Sequence, residues 1–133
     1  MKKILFIALI ITFLFTEFIL AQPKSVTLTW INSVTPDVAG YNLFRADVTN
    51  GDYVKVNTAL IPSDPSGTGE YTDESVNYAH RYFWVCRAVV EWEDPFTGEA
   101  GELESINSNE ATAFMMPPAP VAPKGLIKKS LTP

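Results

Sequence analysis

The chain has 133 residues, with 10 Lys+Arg against 15 Asp+Glu and a net charge of −5. An acidic balance disfavours nucleic acid and anionic lipid as partners. One histidine and one cysteine exclude an internal disulfide and leave too few donors for a zinc site or a nucleophile–base pair.

Met1-Lys2-Lys3, the uncharged run Ile4 to Thr16 and the small Ala21 before Gln22-Pro23 form an export signal at residues 1–21, with cleavage after Ala21. The rival reading is a retained anchor, since Ile4 to Ala21 is 18 residues long. Glu17 inside that window is costly in lipid and argues for cleavage. Losing Lys2, Lys3 and Glu17 leaves 112 residues with 8 basic against 14 acidic side chains, enough for one domain with one core. The expected location is secreted, periplasmic or at the cell surface, with no membrane association after cleavage.

Val26-Thr27-Leu28-Thr29-Trp30 alternates with period two and predicts a half-buried strand with Val26, Leu28 and Trp30 inward. Gly40 to Arg45 predicts a second strand after the Thr35-Pro36-Asp37 break. Asn50-Gly51 supplies a tight hairpin into Asp52–Asn57. Ile61 to Gly69 holds too many breakers for a regular element, and Glu70–Asp73 reads as a short strand. Val76 to His80 bends into Arg81–Val89, an aromatic and β-branched run without Gly or Pro. Tyr82, Trp84, Cys86 and Ala88 share its core face. Apolar residues on the opposite face place this strand mid-sheet. Glu91 to Ser105 reads as a long hairpin loop, Ile106 to Phe114 as the last strand, and Pro117 onward as a Pro-rich tail or linker over residues 117–133. Short strands at regular spacing, without helical periodicity, predict an all-β sandwich.

Val26-Thr-Leu-Thr-Trp30, Pro36 to Arg45, Tyr71-Thr-Asp73, Tyr82 to Val89 and Ser108-Asn-Glu110 fall in an order that resembles bacterial fibronectin type III modules over about residues 24 to 116. The resemblance implies a seven-stranded immunoglobulin-like β-sandwich at 22–116. It also implies Trp30 on the second strand, Tyr41 on the third, and Tyr82 as a corner tyrosine at the start of the sixth. Trp84 stands where an immunoglobulin domain wants cysteine. Trp30, Tyr41, Leu43, Tyr82 and Trp84 are thus expected to be structural core.

His80 and Cys86 are six residues apart on one strand, about 20 Å at ~3.3 Å per residue, so they cannot exchange a proton. With no phosphate loop or dinucleotide fingerprint either, neither an enzyme nor a cofactor is expected. The least generic stretch is Glu91 to Glu104, with six carboxylates, no basic residue, and two large aromatics. It lacks calcium-loop spacing. Trp92, Glu93, Asp94, Phe96, Glu99 and Glu102 form the candidate interaction loop, for an unknown protein or a glycan. A solvated tip with its rings folded back is the structural alternative. A second candidate is the outward strip Phe44, Phe83, Val85 and Val89, for which cross-strand packing is the favoured reading.

Overall fold

The computed structural model describes residues 24–127, so the export segment expected at 1–21 lies outside the described residues, as does the end of the tail. Eight strand segments lie in these residues: β1 (Val26–Ile31), β2 (Val38–Ala46), β3 (Val54–Lys55), β4 (Ile61–Pro62), β5 (Thr68–Asp73), β6 (His80–Glu93), β7 (Ala100–Glu104) and β8 (Ala111–Met115). β1 pairs with β5 in one sheet, and β2 and β6 form the centre of the other. β6 pairs with β2 on one side and with β7 and β8 on the other, so it lies mid-sheet. The pairing is that of an immunoglobulin-like sandwich, with β1 and β5 as its B and E strands, β2 as C, β6 as F and β7–β8 as G.

Both edges of the larger sheet are broken strands patched by side chains. β3 and β4 both pair with β2, and between them the Asn57 side chain replaces backbone: its Oδ1 accepts from Leu43 N (2.8 Å). Its Nδ2 donates to Asn42 Oδ1 (2.9 Å). On the far edge, Ser105 N donates to Ala88 O (2.9 Å) while its Oγ accepts from Ala88 N (3.0 Å). Ser108 repeats the pattern on Cys86 at 2.9 Å in both directions. The last strand, expected at Ile106 to Phe114, therefore becomes regular only at Ala111; before that, two serines satisfy the ladder that a regular strand would supply.

Tyr41, Leu43, Tyr82, Trp84, Cys86, Ile61 and Val76 form the core between the sheets. Tyr82 Oη accepts from Asn77 N (3.0 Å), five residues upstream, which makes it a corner tyrosine. Ala79, held at φ 57°, donates its N–H to Met115 O (2.7 Å) and so ties the corner to β8. Tyr82→Phe removes one acceptor from a buried bend and is expected to cost about 1–2 kcal/mol, read as a lower urea midpoint at unchanged slope.

Some expectations are corrected. The hairpin expected at Glu91 to Ser105 is there, but its loop is short: β6 continues to Glu93 and β7 returns from Ala100, leaving a tip at 94–99. Ile61 to Gly69 is not irregular throughout, since Ile61–Pro62 pairs with β2 and Thr68–Gly69 opens β5. Asn50-Gly51 does not close a tight hairpin. Asn50 takes φ 49° but Gly51 stays outside the positive region, and β3 starts only at Val54. The reason is Glu110, whose carboxylate takes hydrogen bonds from Thr49 Oγ1, Asn50 N and Tyr53 Oη and pulls the loop across the sheet. Finally, Trp30 is only half-buried and Ala88 likewise.

Candidate functional site

The outer face of the large sheet would be a binding surface if its apolar strip were open, but Phe44, Val85 and Val89 are buried and Phe83 half-buried. A polar network roofs them. Asn42 Nδ2 donates to Glu104 Oε1 (2.7 Å), Arg87 donates to Glu104 Oε2 (3.0 Å) and to Asn107 Oδ1 (2.7 Å), and the Arg87 guanidinium lies 4.3 Å over the Phe44 ring. Asn42 and Arg87 hold the Glu104 carboxyl below its usual range. This strip is packing, and Glu104 belongs to it rather than to the recognition stretch. No local pattern signals that, because Asn42 and Glu104 meet only through strand register.

Beyond Val90, the last β6 residue paired with β2, residues 91–93 pair only with β7. The hairpin therefore stands clear of the sandwich as a two-stranded ribbon. Glu91 faces Glu102, Trp92 faces Gly101 and Glu93 faces Ala100. Alternation puts Glu91, Glu93 and Glu102 on one face and Trp92 on the other. Like charges directly opposite one another, as at Glu91 and Glu102, weaken the ribbon. Trp92 lies across Gly101, where an added Cβ would come within 3.0 Å of the indole, and it is still 43% exposed. The tip is ordered by Asp94, whose Oδ1 accepts from Phe96 N (2.8 Å), with Asp94 N donating to Glu99 O (2.7 Å) and Gly98 N to Asp94 O (2.8 Å). Gly98 supplies the left-handed φ of 73° that closes the turn. The Phe96 and Thr97 N–H groups hold the Asp94 carboxyl below its usual range. Asp94 is thus half-buried in turn structure, while Phe96 is 97% exposed and Glu93, Glu99 and Glu102 are exposed. Of the two rings, Trp92 folds back on its own ribbon and Phe96 does not.

The core residues are placed elsewhere. Tyr41, Leu43, Tyr82 and Trp84 are buried, and Trp30 stacks at 5.4 Å from Tyr41 beside a cleft along β1. Cys86 is buried, and burial pushes its thiol up to about 12, which leaves it protonated and unreactive at neutral pH. His80 instead meets Asp47 at 3.1 Å on the surface and stacks 4.5 Å from the Tyr82 ring. Among the described residues no group of His, Cys, Asp and Glu is arranged to hold a metal ion, and no helix is long and apolar enough to cross a membrane.

No protein family and no curated protein matches this chain. Among solved structures, it is similar to a Fn3-like protein from Clostridium thermocellum, at 25% identity over 74% of this chain and 83% of that one, with a TM-score of 0.48. At that TM-score the strand pairing, not the likeness, carries the fold.

Proposed function

We propose that this chain is an exported, non-catalytic β-sandwich module that serves as a spacer or protein-interaction domain at the cell surface or outside the cell, with the β6–β7 hairpin as its recognition element. The observation that carries the reading is Phe96, 97% exposed at an ordered tip, on a ribbon whose residues beyond Val90 pair with no third strand among the described residues and which bears Glu91, Glu93, Glu99 and Glu102. A large ring presented in a preset geometry costs little entropy to bind. The carboxylates around it favour a basic protein partner, whose approach also relieves the repulsion between Glu91 and Glu102.

Phe96→Ala is expected to weaken capture of a basic partner from the native cell-surface extract about 30-fold, as for a hot-spot residue worth ~2 kcal/mol, and rising salt should weaken the wild type in parallel. Capture that is indifferent to Phe96→Ala would remove this reading. A second reading, carbohydrate binding or an enzyme-accessory role, is favoured by Trp92: one side of its indole rests on Gly101 and the residue remains 43% exposed, the form of a platform for a sugar ring. A glycan array separates the two. Binding lost with Trp92→Ala supports the sugar platform, and a blank array leaves the protein partner.

A further inference from the structure

A sheet edge offers unpaired N–H and C=O groups to any other strand, and proteins blunt such edges with charge, proline or irregularity. Three edges here are blunted. The β3–β4 edge carries Lys55 and Pro62, the β5 edge carries the exposed Glu70, and the β7–β8 edge is interrupted at 105–110. β1 is not: Val26–Ile31 contains no charge, proline or glycine and pairs without a break, but only with β5 among the described residues. Clefts of about 260 and 190 Å³ run along it, lined on one bank by Leu28, Trp30 and Ile31 and on the other by Cys86 and Ser108. Ile31 and Ile106 stand 86% and 90% exposed at the mouth of the second.

We infer that this slot is completed by a strand from the C-terminal segment of a second copy, Val121–Ile127. Seven residues match the six of β1, and Val121, Leu126 and Ile127 are 62%, 100% and 81% exposed in a segment without secondary structure. Charge is complementary: residues 22–116 carry five basic and fourteen acidic side chains, whereas residues 117–133 carry Lys124, Lys128 and Lys129 and no acid. The sense of pairing selects a second copy over the chain's own tail. Met115 O accepts from Ala79 N (2.7 Å), beside Tyr78, over whose ring Lys24 lies at 5.8 Å. The tail therefore leaves at the Val26 end and, turning back, would run parallel to β1. Another copy's tail enters from the Ile31 end and runs antiparallel, the commoner and slightly more stable arrangement. Pro123 then turns its nitrogen away from β1, so Ala122, Lys124 and Leu126 make the ladder. Because donor and acceptor surfaces differ, association does not stop at two copies unless a ring closes.

Sedimentation velocity and amide exchange on the chain from Gln22 test this. The sedimentation coefficient is expected to rise with concentration past the dimer, while the Thr27–Ile31 amides become protected in step. The double variant Leu126→Asp, Ile127→Asp alters only exposed side chains and, because neighbours in a strand point to opposite faces, charges whichever of the two enters the cleft; it should weaken association about tenfold, the worth of one large aliphatic buried. Ile31→Asp should act likewise, and Phe96→Ala, which tests the hairpin, should change nothing here. A monomer at every concentration overturns the inference. So does association that survives the double tail variant, since the copies would then meet through another surface, and so does β1 protection that is independent of concentration, since the chain's own tail would then fill the slot.

Discussion

Trp84→Ala is expected to lose about 3–5 kcal/mol of folding stability, the range for truncating a large core aromatic. Trp84 is 1% exposed at the centre of the long strand β6, with its ring 5.8 Å from that of Tyr82. It also ends a polar chain, since its Nε1 donates to Asp73 Oδ2 (3.0 Å), so truncation removes one of the bonds that keep a buried carboxylate charged. Trp30→Ala should cost less than this, because Trp30 is only half-buried at the β1 cleft. Urea melts of the two variants compare them directly, and the ordering Trp84 above Trp30 is the expected result.

Asp73→Asn is the second large effect. Asp73 is 1% exposed, and although burial opposes its charge, hydrogen bonds from Ser75, Trp84 and Arg45 outweigh that and hold its carboxyl below the ordinary aspartate value. Arg45 reaches Asp73 Oδ2 at 2.8 Å and lies 4.7 Å over the Tyr82 ring, so one carboxylate links the corner tyrosine, the core tryptophan and β2. Removing one partner of a buried pair costs about 3–5 kcal/mol; because the Arg45 side chain keeps 23% exposure, the lower end applies here. The sign of the pH dependence follows from the lowered pKa. The contribution is complete above the unfolded aspartate value near ~4 and is lost as pH falls through the folded one. The wild type should therefore lose stability steeply on acidification, while Asp73→Asn starts lower and declines less. Parallel acid curves for the two proteins would show that Asp73 is not the group responsible.

Much of the sandwich was readable in the sequence because its signals are local. Tyr82 to Val89 announces a central strand by composition, Tyr41 and Leu43 share a face by period two, and Tyr82 bonds back only five residues to Asn77. What stayed hidden depends on register between distant strands. Asp73 looks like a surface aspartate at the end of a short strand, and only its pairing across from Val26 carries it under Trp84. Ser105 and Ser108 look like loop residues until β6 lies beside them. Asn57 and Glu110 also hold edges and loops through partners 14 to 61 residues away. In the candidate site, charge and aromatic content marked the stretch, but not its geometry. Opposed carboxylates interrupt no strand, so Glu91 to Glu93 continues β6, and Gly101 reads as a loop breaker although it serves as the bed for Trp92.

If recognition is separable from folding, Trp92 to Gly101 can be exchanged for an Asn-Gly turn between Glu91 and Glu102, leaving Glu104 in its network with Asn42 and Arg87. The measurement is the urea midpoint of the shortened chain, taken beside its capture of the basic partner. Little buried surface is lost and a shorter loop gains slightly, about 0.6 kcal/mol per halving, so the midpoint should hold or rise while capture disappears. A collapse of the midpoint, or capture that persists without the hairpin, would contradict the assignment of recognition to that ribbon.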